Sequence, residues 1–118
     1  MTQAYAVAQP ERSAIDAMSG VLALEFGADW CGHCRGAAPH ITSALAAFPQ
    51  VRHIKVEDGS GRPLGRSFRV KLWPTLVIVR DGKELARVVR PAGAEEVRQA
   101  LASAESQTVP QAGNDVLP

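Results

Sequence analysis

Residues 21–34 read VLALEFGADWCGHC. The first six, Val21 to Phe26, are a short apolar run suited to a strand buried on both faces. After a brief link, Cys31-Gly32-His33-Cys34 opens an Ala- and Leu-rich stretch that runs to Phe48. Within it, Arg35 to Phe48 carries Ile41, Leu45 and Phe48 at helical spacing. The segment therefore reads strand, turn, helix, with both cysteines of the chain at the junction. Pro39 lies inside the helix and predicts a kink rather than a stop.

Working outward, Ser13 to Ser19 is helix-friendly, with Gly20 in the position favoured for a C-cap, and Ala4 to Val7 reads as a weak strand. Val51 to Val56 is the next strand. The glycines at 59 and 61 lead into a short helix from Pro63 to Phe68. Leu76 to Val79 (LVIV) is strongly β-forming, Asp81-Gly82 is a tight hairpin signal, and Leu85 to Val89 is the returning strand. A closing helix, Ala94 to Ala102, has Val97, Ala100 and Leu101 on its apolar face. From Ala104 to Pro118 the composition turns to Gln, Ser, Gly, Asn and Pro and reads as a flexible tail. The order β-α-β-α-β-α-β-β-α predicts an α/β domain over residues 1–103, a central mixed sheet with helices on both faces.

Composition narrows the function. With 118 residues, 46% hydrophobic and 21% charged, the chain is a single globular domain rather than a disordered segment. Thirteen Lys and Arg against twelve Asp and Glu leave a formal charge of +1, which argues against nucleic acid as a partner. No apolar run is long enough to cross a bilayer. Met1 to Pro10 does not read as a signal peptide, so the expectation is a cytoplasmic protein without membrane attachment. Lacking heptads and a long uncovered apolar helix face, it is expected to be a monomer.

The two cysteines carry the chemistry. Two intervening residues make too small a loop for a disulfide that serves stability, so the pair points to redox or metal. A thiol in the first turn of a helix meets free backbone N–H groups and the positive end of the dipole, and both favour thiolate. Cys31 is then the attacking nucleophile, with protonated His33 as a nearby cation, and Cys34 is the deeper thiol one turn on. Cys31 attacks a substrate disulfide; Cys34 resolves the mixed disulfide and releases reduced substrate. Stabilising the Cys31 thiolate makes the couple more oxidising, so an oxidase or isomerase is the alternative direction. A zinc half-site completed by two of His33, His40 and His53 fits no familiar ligand spacing. His40 and His53 read as surface or helix-face residues.

Phe26, Ala28, Asp29-Trp30-Cys31-Gly32-His33-Cys34, Pro39, Phe68-Arg69-Val70, Trp73-Pro74-Thr75 and Asp81-Gly82 together resemble the thioredoxin family, over roughly Val21 to Leu101. The resemblance implies a thioredoxin fold, thiol–disulfide oxidoreductase activity and a cis Pro74 lying against the cysteine pair. It also implies that the backbone of Trp73 pairs with an extended substrate. Trp30, Gly32, Trp73, Pro74, Val89 and Arg90 are the expected substrate-groove residues. Similar proteins carry an Asp where Glu25 stands, assisting proton transfer at the second cysteine, with a lysine at Lys55. Desolvation would raise the pKa of Glu25 and suit it to general acid–base work; the alternative is a solvated Glu25 and Lys55 at an edge. No cofactor is expected beyond the Cys31–Cys34 disulfide itself, and no metal. Electrons are expected from a separate NADPH-dependent, thioredoxin-reductase-like flavoprotein, and the substrates are disulfide-containing proteins. A non-enzymatic binding or assembly module is the further alternative.

Three positions depart from the family pattern. Gly27 stands where an aromatic is common. His33 replaces a proline common in cytoplasmic reductants and resembles the motif of disulfide isomerases. Arg90-Pro91 occupies a loop that usually carries glycine, where the arginine favours acidic targets, steadies the thiolate, or points into water.

Overall fold

In the computed structural model, which describes residues 4–6 and 10–108, strand β1 (Val21–Gly27) is buried at every position. It lies in a four-stranded sheet in which β2 (Arg52–Glu57), β1, β3 (Thr75–Arg80) and β4 (Lys83–Val89) are neighbours in that order. β1 runs parallel to β2 and antiparallel to β3, and β3 and β4 form an antiparallel hairpin. This is the mixed sheet expected from the element order.

Side-chain alternation along β1 divides the core in two. Leu22, Leu24 and Phe26 pack with Ile15 of helix α1 (Arg12–Ala17) and Leu64 of α3 (Pro63–Ser67). Val21 and Ala23 face the other way, onto Ala37, Ile41 and Ala44 of α2 (Gly32–Ala46) and Val97, Leu101 and Ala104 of α4 (Ala94–Thr108). By the same alternation Glu25 and Gly27 point toward the α2 face, the side on which the cysteines lie. The hairpin turn has positive φ at both Asp81 (52°) and Gly82 (80°), the conformation the Asp-Gly pair favours.

Several expected boundaries shift. α1 ends at Ala17 with Met18 as its C-cap, so Gly20, at φ 83°, turns the chain into β1 instead of capping the helix. The weak strand at the N-terminus is a single parallel bridge, Ala6 to Val56, on the outer edge of β2; Val7 lies outside the described residues. α2 continues through Pro39. The largest correction concerns the C-terminal segment. A flexible tail beginning at Ala104 is overturned, because α4 runs to Thr108. Ala104 extends the stripe of Val97 and Leu101 and is fully buried, and Gln107 Nε2 donates to Leu85 O at 3.0 Å. Polar composition concealed one more buried turn. Residues 109–118 lie outside the described part.

Candidate active site

The cysteine pair stands where β1 hands over to α2. Cys31 is the N-cap of α2, in extended conformation, and its sulfur accepts the backbone N–H of Cys34 at 3.3 Å. That bond closes the first turn, satisfies an N–H the helix itself leaves unpaired, and brings the second sulfur beside the first. Both thiols are free, and Cys34 is the more enclosed, at 2% exposure against 7% for Cys31. Burial pushes the Cys34 thiol up to about 11, with the hydrogen bond to Cys31 adding to the rise.

Above the pair, the rim is aromatic and open. Trp30 is 69% exposed and packs edge-on against Trp73, ring centroids 5.5 Å apart. Trp73 Nε1 donates to Asp58 Oδ2 at 2.8 Å, fixing that indole. The Trp73–Pro74 peptide is cis. Leu72, which precedes Trp73, and Val89, the register partner of Thr75, are also exposed. Arg90 points neither at the sulfur nor freely into water. Its Nε donates to Trp73 O at 2.8 Å, and its own N–H donates to Pro74 O at 2.9 Å. It does so from φ 50°, a left-handed conformation that explains why glycine is common in this loop. His33 and Gly32 are exposed on the first turn of α2.

Below the pair, the floor is polar and buried. Glu25 and Lys55 are register partners across β1 and β2 and are only 1% and 3% exposed, so the solvated-edge alternative does not hold. Glu25 Oε2 accepts the Tyr5 hydroxyl at 2.5 Å, and Oε1 lies 2.7 Å from His53 Nε2. An ionised Glu25 can only accept, and His53 Nε2 is then the donor of this pair. Lys55 Nζ sits 4.4 Å from the centre of the Tyr5 ring, a cation–π contact. An open cleft of about 400 Å³ borders Tyr5, Asp29, Cys34, Arg35 and Lys55.

Two members of this floor escaped the reading of the sequence. The sequence reads His53 as a surface residue, yet it bonds the buried carboxylate. The signal was strand alternation: His53 is two residues from Lys55 and therefore on the same face of β2. Tyr5 carries little signal of its own because its segment is so weakly β-forming. Its signal was Gly27, since an aromatic missing at the active-site margin leaves space to be filled. Among the described residues no group of three or more His, Cys, Asp or Glu is placed to hold a metal.

Comparison with known proteins agrees with this geometry. The thioredoxin family model matches residues 7–103. Thioredoxin of Chlamydia trachomatis is 37% identical over 84 residues, covering 70% of this chain and 81% of that protein. Against further thioredoxins from buckwheat, yeast mitochondria and tobacco, the chain spans 60%, 54% and 64% of their length. Among solved structures, reduced thioredoxin 2 from Pseudomonas aeruginosa superposes with a TM-score of 0.81 at 48% identity, covering 91% of this chain and 99% of that one. A structure from work on thiol resolution in yeast mitochondrial 1-Cys peroxiredoxin via glutathione/thioredoxin systems gives 0.65 at 25% identity, covering 77% and 84%. The family match spans most of a chain whose two cysteines open α2 as Cys-Gly-His-Cys, and the chain belongs to the thioredoxin family of thiol–disulfide oxidoreductases.

Proposed function

We propose that the chain reduces disulfides in other proteins, with Cys31 as nucleophile and Cys34 as resolving thiol. The observation that carries this reading is the placement of the two sulfurs on the first turn of α2, both buried, with Cys34 the more enclosed and Cys31 next to the exposed Trp30. A substrate disulfide meets Cys31 first, and the mixed disulfide so formed is within reach of Cys34 alone. Trp30, Gly32, Trp73, Pro74 and Val89 form the groove. An extended substrate segment lies along the backbone of Trp73, whose carbonyl keeps one lone pair beside the one Arg90 uses. His33 adds a cation beside the reacting sulfurs when protonated, and Glu25 with Lys55 serves the proton at Cys34.

Residues 1–103 with the remainder of α4 make the working domain. It acts as a monomer in the cytoplasm, with no bound cofactor, and takes electrons from a separate NADPH-dependent flavoprotein reductase. The likeness to the yeast structure supports peroxiredoxins as one class of disulfide substrate.

Insulin reduction coupled to such a reductase tests the assignment. Cys31→Ser is expected to lose activity by on the order of 10³-fold or more, and retained turnover in that variant removes Cys31 as nucleophile. The direction is tested by the potential of the couple. A reductant lies near the thioredoxin value of about −270 mV, whereas a value near about −180 mV makes the chain an isomerase or oxidase.

A further inference from the structure

Tyr5 is the one tyrosine in the chain. Its hydroxyl stands between the two groups whose protons the exchange reaction has to connect. On one side it donates to Glu25 Oε2 at 2.5 Å. On the other it packs with Cys34 in one buried cluster, the hydroxyl and the sulfur converging on the same point above Gly27. Gly27 leaves room for this arrangement: a Cβ there would lie 2.5 Å from Cys34 Sγ and 2.7 Å from the Tyr5 oxygen. The segment that delivers Tyr5 is tied down by its N–H, which donates to Asp29 Oδ1 at 3.1 Å, and by the bridge from Ala6 to Val56. His53 engages the opposite oxygen of Glu25, leaving Oε2 facing Tyr5.

We infer that the Tyr5 hydroxyl relays a proton between Cys34 and Glu25 during resolution of the mixed disulfide. The inference rests on the exchange mechanism proposed above. In the step, the Cys34 S–H bond breaks and its proton passes to the Tyr5 oxygen, while the proton already on that oxygen passes to Glu25 Oε2. The sulfur electron pair attacks Cys31 Sγ and forms the Cys31–Cys34 bond. The bond from Cys31 to the substrate sulfur breaks, and that sulfur leaves as a thiolate with the electron pair. The dithiol is oxidised by two electrons, the substrate disulfide is reduced, and Glu25 ends as the neutral acid.

A phenol has one proton to give and lone pairs to accept with, so it transfers a proton without a lasting change of its own. Burial and the neighbouring Glu25 charge hold this phenol far above its ordinary range, so both transfers occur together and no tyrosinate forms. The Cys34 thiol, pushed up to about 11, is a poor source of thiolate at neutral pH without an internal base. The groups that surround the relay are Glu25, His53, Lys55, Asp29, Cys31 and Cys34.

The test is stopped-flow reaction of the reduced protein with one equivalent of the aromatic disulfide DTNB. The first aryl thiolate is released when Cys31 is captured and the second when Cys34 resolves. Tyr5→Phe keeps the ring and removes the hydroxyl. Its first phase is expected to match wild type within about twofold, and its second to slow by about 10- to 100-fold at pH 7. The deficit shrinks as pH approaches that of the Cys34 thiol, where hydroxide replaces the relay. The double variant with Glu25→Gln is expected to be no slower than the slower single variant, because a relay acts in series. Because Tyr5 is the sole tyrosine, biosynthetic difluorotyrosine changes the acidity of this phenol alone and should alter the second phase in the otherwise unmodified protein. A Tyr5→Phe second phase within about twofold of wild type, multiplying losses in the double variant, or indifference to fluorination overturns the relay. A missing first phase in wild type instead overturns the exchange mechanism.

Discussion

The two sulfurs share one helical turn yet face different halves of the molecule. On the Cys31 side the surface is exposed and aromatic: Trp30 precedes the sulfur, with Trp73 packed against the cysteine cluster and held edge-on to Trp30. Beneath Cys34 they are buried and mostly ionisable: Tyr5, Glu25 and Lys55, with His53 reaching in from the edge of β2. The difference divides the labour of exchange. A substrate disulfide needs an accessible sulfur and a surface to lie on, whereas resolution needs a proton removed from a thiol that burial keeps neutral. α2 serves both because its first turn places the two sulfurs side by side at different depths.

The strongest way to disturb the contrast is to push side-chain bulk into the floor. Gly27→Ala places a methyl group against Cys34 Sγ and the Tyr5 oxygen. Overpacking of this kind costs about 1–3 kcal/mol, measured by denaturant unfolding, and resolution should slow while capture by Cys31 is spared. If the loss falls equally on both phases, rim and floor are not separable.

A second prediction uses pH. The folded Cys34 thiol is pushed up to about 11, while an unfolded cysteine titrates near about 8.5. The fold therefore favours the protonated thiol. The stability this contributes is full below the unfolded value and is lost as pH rises through the folded one. The oxidised protein has no thiol to titrate. The stability of the reduced form relative to the oxidised form should therefore fall between about pH 8.5 and 11. Parallel curves across that window contradict the burial argument.

The smallest effect belongs to the rim. Arg90→Gly relieves a left-handed residue worth about 1–2 kcal/mol but removes the bond to Trp73 O, worth about 1 kcal/mol. The changes nearly cancel, so Tm should scarcely move while KM for a peptide disulfide changes. Arg90→Ala keeps the strained backbone and loses the bond, and should be the less stable of the two.

Much of the fold was legible from residue order. VLALEF, LVIV and the Asp-Gly turn each carry strong local preferences, and the sheet and its two helical faces follow from them. What failed to show was decided at a distance. The last turn of α4 is polar in composition and is held by the small buried side chain of Ala104 and by Gln107 bonding to Leu85 O, which composition alone undervalues. Cys31, Cys34 and Pro74 stand in a local pattern and could be read directly. Glu25 was legible as a charge in an apolar run. Its partners were not, because Tyr5 comes from an N-terminal segment with one bridge to the sheet, and His53 became meaningful only once β2 was registered against β1. Gly27 and Arg90 were visible as departures, but their sense lies in what fills the space and in which carbonyl is bonded.

Intact-mass trapping with the single-cysteine variants tests the division between the sulfurs most directly. Cys34→Ser incubated with a disulfide-bonded protein substrate should accumulate a covalent adduct on Cys31, and Cys31→Ser should accumulate none. An adduct that forms readily on Cys34 in the Cys31→Ser protein would contradict the account.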